Sequence, residues 1–399
     1  MKDPDGRKVI LILGIMTFWC NGENYAAAPL LVEIAREFHV NISQAALSVT
    51  SYMLPFGLFT IIFGPLADRY GKARVINFAA FGSAIFCALA ATAPGLLSLC
   101  VLRAVNGAFA AAILPVTMSL VGDRFSREPG KVQHALGKVF GIMFLGGACA
   151  TAIGGALSYF GSWRLVYLFY GLAELVTALV MLKTLDKSPG TVARFSLRDA
   201  YREAFANADL VKTVSIVFLV GGSVFGSFAY AGQFVQATTG YNLFEVGLIL
   251  TFFGLATVVG GRKTARLRQK LGNRLLLYAG IFGALSWALM GVSHSPIFIS
   301  LSLTGFGLGF IMIHPSLVAT AQQLMPGRRG TVMSLVSFNL FVGGGLGTLV
   351  NGKILDNWGF GAVFLLAAVL LLLAGFIGSI VLQRQSGRSV STALPVIES

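Results

Sequence analysis

Charge is what this sequence has least of. Only 12% of its 399 residues are charged, while 56% are hydrophobic, and the mean hydropathy is +0.78. Soluble globular chains carry about 25% charged residues, so a separate soluble domain is excluded and the chain is expected in lipid. Acids are scarcer than bases, with 16 Asp and Glu against 30 Lys and Arg. That excess does not indicate nucleic acid, because the basic residues are spread over many short loops instead of gathering on one surface. Cysteine is sparse too. Cys20, Cys87, Cys100 and Cys149 all fall inside apolar runs, where a thiol behaves as a small hydrophobe, so no disulfide or metal framework is expected. No phosphate loop, zinc pattern or nucleophile elbow occurs. Neither an enzyme nor a bound cofactor is therefore expected.

What the sequence has in abundance is apolar runs of membrane-crossing length. A span needs about 20 apolar residues, and runs of that kind lie at roughly 9–35, 43–65, 74–94, 97–122, 137–160, 164–184, 211–238, 244–262, 274–293, 297–324, 330–354 and 361–383. The run from Val9 follows Arg7 and Lys8 as a signal peptide would, but it continues past Glu23 and is read as a retained helix. Basic clusters alternate between loops: Arg69/Lys72/Arg74, Arg124/Arg127/Lys131, Arg262 to Arg274, and Arg328/Arg329. The positive-inside rule puts these clusters and both termini in the cytoplasm.

The polar interval from Lys183 to Lys212 falls at the midpoint. Ser188-Pro189-Gly190 breaks a helix there, and 196–203 has an amphipathic pattern. A surface helix and an unstructured tether are both compatible with it. The division expected is residues 1–184, a linker 185–210, residues 211–384 and a tail 385–399. An internal repeat supports two halves, since Gly107 precedes Pro115 by the same interval that Gly307 precedes Pro315. The loop 265–274 also repeats 64–74 in weakened form.

The loop from Gly64 to Arg74 carries the most specific motif. It reads G-P-L-A-D-R-Y-G-K-A-R and cannot lie in hydrocarbon, where a charged side chain costs about 2.5 to 3.5 kcal/mol even on the mildest scale. It resembles the signature loop between helices two and three of the major facilitator superfamily of transporters. The segment Arg103-Ala104-Val105-Asn106-Gly107 likewise resembles the helix-four signature R-x-x-[QN]-G, and Trp163-Arg164 the common start of helix six. The helix-five motif of drug:proton antiporters, G-x-x-x-G-P-x-x-G-G, is altered: Ala150 and Thr151 stand at its inner glycine and its proline. The resemblance implies an all-α integral membrane protein whose twelve transmembrane helices form two pseudo-symmetric six-helix bundles, with a substrate site near the midplane between them. It also implies that Gly64, Asp68, Arg69, Gly71, Lys72 and Arg74 govern conformational gating.

Glu23 is the foremost candidate for proton coupling. It lies mid-run without a basic neighbour in sequence, where a carboxyl can exchange a proton at accessible pH. Antiporters resembling this chain often have an acid in helix one, though a structural carboxyl bonded to a neighbouring helix is the plainer alternative. Arg103 stays charged at any accessible pH, and Glu23 is its expected partner across the bundle, either relaying protons or locking as an ion pair. Faces at helical spacing supply candidate cavity residues: Trp19 on helix one; Asn106 beside Arg103; Gly226, Tyr230 and Gln233 on helix seven; Phe306, Phe310 and His314 on helix ten; and Asn339 on helix eleven. For the aromatics, core packing or lipid contact is the competing reading. Glu174 in helix six has no assigned role beyond a buried hydrogen bond.

The function expected is export of small amphipathic or aromatic organic molecules by proton antiport, by a monomer in the cytoplasmic (inner) membrane whose partners are the solute, protons and the bilayer. The expected mechanism places Glu23 in the shared central chamber, where its protonation releases substrate. Dedicated metabolite export and proton-coupled uptake by the same fold are the alternatives.

Overall fold

The computed structural model describes residues 6–125, 129–186, 189, 197–292 and 294–393. Its helices are α1 (Arg7–Ala26), α2 (Leu31–Glu37), α3 (Ile42–Ala45), α4 (Leu47–Tyr70), α5 (Lys72–Ala90), α6 (Leu96–Ala110), α7 (Ile113–Arg124) and α8 (Pro129–Phe160). They continue with α9 (Trp163–Thr184), α10 (Leu197–Ala206), α11 (Ala208–Thr239), α12 (Leu243–Leu271), α13 (Arg274–Met290), α14 (Pro296–Leu324) and α15 (Arg329–Ala393). Among the described residues nine helical segments are long and apolar enough to cross a bilayer, and Arg274–Met290 is a shorter apolar helix. Each expected run is helical: 9–35 is divided between α1 and α2, 97–122 between α6 and α7, and the last two share α15.

Local chemistry sets the breaks. Pro29 has no N–H to donate, and it sits in the short turn Ala28–Leu30 that separates α1 from α2. A second break at Ala111–Ala112 divides α6 from α7. Gly71 ends α4 at φ 95, a left-handed conformation that costs a glycine little, and the basic loop reverses there. Gly359, at φ 76, turns the chain inside α15.

Three boundaries differ from the sequence reading, and one segment it left open is a helix. The motif stretch 64–74, expected as a loop, lies on the end of α4 and the start of α5, with only Gly71 between them. The cluster Arg262 to Lys270, expected in a loop, lies on the last turns of α12, because long basic side chains favour helix and complement its C-terminal dipole. Residues 385–393, expected as a tail, continue α15. In the midpoint interval, Leu197–Ala206 is helical, with Tyr201 buried and its hydroxyl donating to the Ile61 carbonyl at 2.9 Å. Ser188 and Gly190 lie outside the described residues.

The helices before residue 185 pack mainly on one another, as do those after 208. The two sets repeat their contacts at an offset of about 200. A Cβ on Gly107 would overlap the Tyr52 carbonyl, and one on Gly307 would sit 2.6 Å from that of Phe253. Thr60 donates to Ala111 O and Thr264 to Ile311 O, each at 3.3 Å. Asn41 and Asn242 both form capping boxes, with Gln44 and Glu245. Such matched close approaches need small residues at matched places.

Between the sets, α4 runs against α15 and α8 against α12. Gly155 and Gly247 bring α8 and α12 within van der Waals reach, and the Thr151 and Thr251 hydroxyls lie 3.1 Å apart. Beyond the close approach of Gly254 to Ala148, both helices instead line a cavity, with Gly137 to Leu145 of α8 and Thr257 to Thr264 of α12. Gly247→Val would force a branched side chain into the Thr151 backbone, an overpacking cost of about 1–3 kcal/mol. The expected outcome is a chain that still folds but transports poorly and no longer closes at this end, measured as increased labelling of a cysteine placed at Phe244.

At the same end, Glu37 accepts from the Arg164 guanidinium at 2.6 Å and from the Trp163 indole at 2.5 Å. Partial burial works against its charge, but these donors outweigh burial and hold the carboxyl below the usual glutamate range. A depressed value means that the pairing stabilises above the ordinary carboxylate pKa and is lost as pH falls through the lowered one. Because both side chains are about a third or more exposed, the pair contributes about 1 kcal/mol or less. Thermal unfolding in detergent should therefore show Glu37→Gln slightly less stable than the parent at neutral pH and equal to it in strong acid.

Candidate functional site

Two sites stand apart in this molecule. The first is a cavity of about 840 Å³ between the two helix sets, within the range of about 300–1,000 Å³ usual for small-molecule sites. Aromatic rings form much of its wall: Tyr25 of α1, Phe140 and Phe144 of α8, Phe225 of α11, Phe310 of α14 and Phe341 of α15. Tyr25 lies 5.5 Å from Phe225 and 5.6 Å from Phe228, so rings from both sets close the cavity's inner end. Polar groups are few, among them Asn21, Thr257, His314 and Ser337. Neither ring nitrogen of His314 has a hydrogen-bond partner among the described residues, and its ring stacks on Phe310 at 5.4 Å. Arg7, Lys138 and Arg262 line the cavity, on the side where the basic clusters lie. No Asp or Glu appears among the described lining residues.

The second site is a sealed charge cluster within the first helix set. Arg103 of α6 donates from Nη1 to Glu23 of α1, and both side chains are 1% exposed. The guanidinium lies over the rings of Tyr52 at 4.2 Å and Tyr167 at 5.0 Å, which shield it from lipid and supply cation–π attraction. Asn106, one turn on, donates to Ser83 O at 3.3 Å. Ser83 in turn donates to Glu174 Oε2 at 2.7 Å. Thus α1, α4, α5, α6 and α9 together bury two acids and one arginine.

Glu23 was expected in the central chamber, and the structure places it elsewhere. Asn21 and Tyr25, four residues apart, turn one side of α1 to the cavity, while Glu23 between them projects away toward α6. Most of the other expected lining residues also lie outside this cavity. Trp19 meets Phe169 and Tyr170 edge to face. The Tyr230 hydroxyl donates to Thr348 O at 2.7 Å, and Gly226 admits Gly347 of α15. Phe306 stacks on Trp287 at 3.9 Å. Asn339 donates to the Leu335 carbonyl at 2.9 Å on its own helix. Gln233 is half-buried, and its Oε1 lacks a partner among the described residues. Asn106 serves the charge cluster instead. Phe310 and His314 do line the cavity. The cause is common to most of these: on helices apolar all round, spacing defines a face but not which neighbour it meets.

In the motif loop, Lys72 reaches Asp123 of α7 at 2.5 Å and Asp68 at 3.9 Å. Asp68 is half-buried, Arg69 and Arg74 are exposed, and Gly64 faces Ser334 of α15, its Cβ position 3.3 Å from the serine hydroxyl. The loop therefore bridges α4, α7 and α15. Asp123 gave no signal in the sequence beyond its position at the end of an apolar run.

The helical repeat fits known transporters. The structure superposes on a bacterial homologue of the human lysosomal transporter Spinster, in an inward-facing and unoccupied conformation, with a TM-score of 0.77 at 16% identity, covering 96% of this chain and 98% of that one. A mutant form of the nucleoside transporter NupG gives 0.75 at 14% identity over 94% and 99% of the two chains. In sequence, the chain is 26% identical over 377 residues to the uncharacterized MFS-type transporter YceJ of Bacillus subtilis, covering 92% and 94% of the two. It is 24% identical over 336 residues to the multi-drug resistance efflux pump PmrA of Streptococcus pneumoniae, covering 80% and 81%. Against the puromycin resistance protein pur8 of Streptomyces alboniger it is 26% identical over 383 residues, covering 79% and 75%. The profile of the Major Facilitator Superfamily matches residues 11–348, and with the duplicated helix sets around a central cavity this match identifies the chain as a member of that family of transporters.

Proposed function

We propose that the protein is a proton-coupled exporter of small amphipathic or aromatic molecules, working by alternating access across the inner membrane. The observation that carries this reading is the ring-walled cavity between the two helix sets, lined by Arg7, Lys138 and Arg262 on the side of the basic clusters and closed at the Gly155–Gly247 end. If those clusters are cytoplasmic, as the positive-inside rule argues, both termini are too, and the cavity faces inward. In this reading twelve crossings form two bundles, residues 1–184 and 211–384, joined by the linker 185–210, and the monomer rocks about the cavity. The motif loop around Asp68, bridging α4, α7 and α15, resists or permits that rocking. Relatives that are a multi-drug efflux pump and a puromycin resistance protein favour export of drug-like solutes.

The lining narrows the solute further. With basic residues and no carboxylate among the described walls, uncharged or anionic amphipaths suit the cavity better than cations. His314, whose ring nitrogens have no partner among the described residues, supplies the polar contact that fixes orientation. A thermal-shift screen on purified protein, using aromatic probes of one shape bearing neutral, acidic or quaternary ammonium groups, tests this. The neutral and acidic members should stabilise the protein, and His314→Leu should weaken them by about tenfold, the worth of one well-placed hydrogen bond. Equal stabilisation by the cationic member contradicts the reading.

A further inference from the structure

The charge cluster holds two carboxyls for one guanidinium, and the partnering is unequal. Glu23 receives a charged donor, Arg103, whereas Glu174 receives only a neutral hydroxyl, from Ser83; each acid keeps one oxygen, Glu23 Oε2 and Glu174 Oε1, without a partner among the described residues. Glu174 is fully buried on α9. An isolated carboxylate taken out of water is penalised far more heavily than a neutral acid, and such a group takes up a proton instead of remaining charged.

Among the described residues the surroundings offer no other cation. On α1 the facing groups are Glu23 and Cys20; on α4, Tyr52; on α5, Ser83 and Cys87. Arg103 faces the cluster from α6, Tyr170 from α9 itself, and Cys149 reaches Tyr170 from α8. Among these described groups Arg103 is the sole positive charge, and Glu23 already neutralises it.

The repeat sharpens the point. At the same offset of about 200, the second helix set has Leu303 where the first has Arg103 and Phe306 where it has Asn106, and Phe306 stacks on Trp287. The fold packs this layer with hydrocarbon and aromatic rings in one set, so the polar version in the other is not a requirement of the architecture.

We infer that Glu174 is the proton-binding site of this transporter, carrying one proton while Glu23 holds Arg103. On release, the Glu174 O–H bond breaks, the proton leaves to water, and the new carboxylate competes with Glu23 for Arg103. Nε and Nη2 of Arg103 have no partner among the described residues and are the donors available to it. The exchange redirects the guanidinium between α1 and α9, which is how a proton would loosen or tighten the first helix set without touching solute in the cavity. This inference rests on the proton-coupled reading for its use, but not for its existence.

Infrared spectroscopy of the purified protein tests it through the carbonyl stretch of protonated carboxylic acids, followed against pH in light and heavy water. The parent should show such a band near neutral pH. Glu174→Gln should abolish it, and Ser83→Ala, which keeps the acid and removes its hydroxyl partner, should shift it. A parent without the band, or a band unchanged in both variants, overturns the assignment. Should Glu174→Gln fail to fold, Ser83→Ala still decides. Flux driven by a pH gradient is measured separately on the parent. A band that behaves as expected in a protein whose flux ignores the gradient keeps the site and removes the coupling, and coupled flux without the band removes the site and keeps the coupling.

Discussion

Arg103→Met should unfold the first helix set more readily than any other single substitution considered. The change leaves Glu23 buried without its ion-pair partner and withdraws the charge that lies over Tyr52 and Tyr167. Removing one member of a buried pair costs about 3–5 kcal/mol, while replacing both members with neutral groups of similar volume is often close to neutral. Thermal unfolding in detergent should therefore show a large loss for Arg103→Met and recovery of most of it in Arg103→Met/Glu23→Gln. A double variant no more stable than the single one would show that the guanidinium acts through packing on the rings instead of through Glu23.

Glu23→Gln is expected to have the largest effect on transport. The amide keeps the shape of the side chain and can still accept from Arg103, so the fold should hold. The cluster, however, loses one of its two acids, and Arg103 turns to Glu174, which is then held as a carboxylate. No proton remains to exchange. Transport driven by a pH gradient should fall to the background of empty liposomes, while exchange of labelled for unlabelled solute, which needs no net proton movement, should persist. Retention of gradient-driven transport in Glu23→Gln would mean that the pair with Arg103 is a structural lock.

The position of Glu23 also changes how coupling is understood. A lone acid in the shared chamber would compete with solute directly. The structure instead turns Glu23 away from the cavity that Asn21 and Tyr25 line, two residues to either side on the same helix. Under the proposed coupling, proton and solute would occupy separate places and communicate through the movement of α1, which contributes to both the cavity and the charge cluster.

How much of this could be read from the sequence depends on what each feature requires of its residues. Close helix approach requires glycine, so Gly107 and Gly307 announced the repeat through identical spacing to Pro115 and Pro315, and the contacts at Tyr52 and Phe253 are the physical reason. The amphipathic pattern at 196–203 was visible because a helix lying between water and apolar groups must alternate at helical period, but it left a tether equally open, and the structure forms a helix at Leu197–Ala206. The pairing of Arg103 with Glu23 was legible because buried charges of opposite sign in an apolar chain have few other partners. The cavity wall was legible only at Phe310 and His314. Tyr25, Phe225 and Phe341 stand on helices that are apolar on every side, and polarity cannot distinguish a face turned to a neighbour, to lipid or to a cavity. Tyr230 and Phe306 were misplaced for the same reason, the one bonded to Thr348 and the other stacked on Trp287. Glu174 was visible as an acid in an apolar run, but its link to Ser83 joins residues 91 apart in the chain, and nothing local signals it.

The most direct measurement follows protons in proteoliposomes that contain the parent protein, a pH-sensitive dye in the lumen and a gradient of a solute found in the stabilisation screen. Movement of solute down its gradient should drive protons the opposite way, changing lumenal pH in proportion to the flux, with Glu23→Gln moving no protons. Solute flux at full rate with no change in lumenal pH would contradict the account.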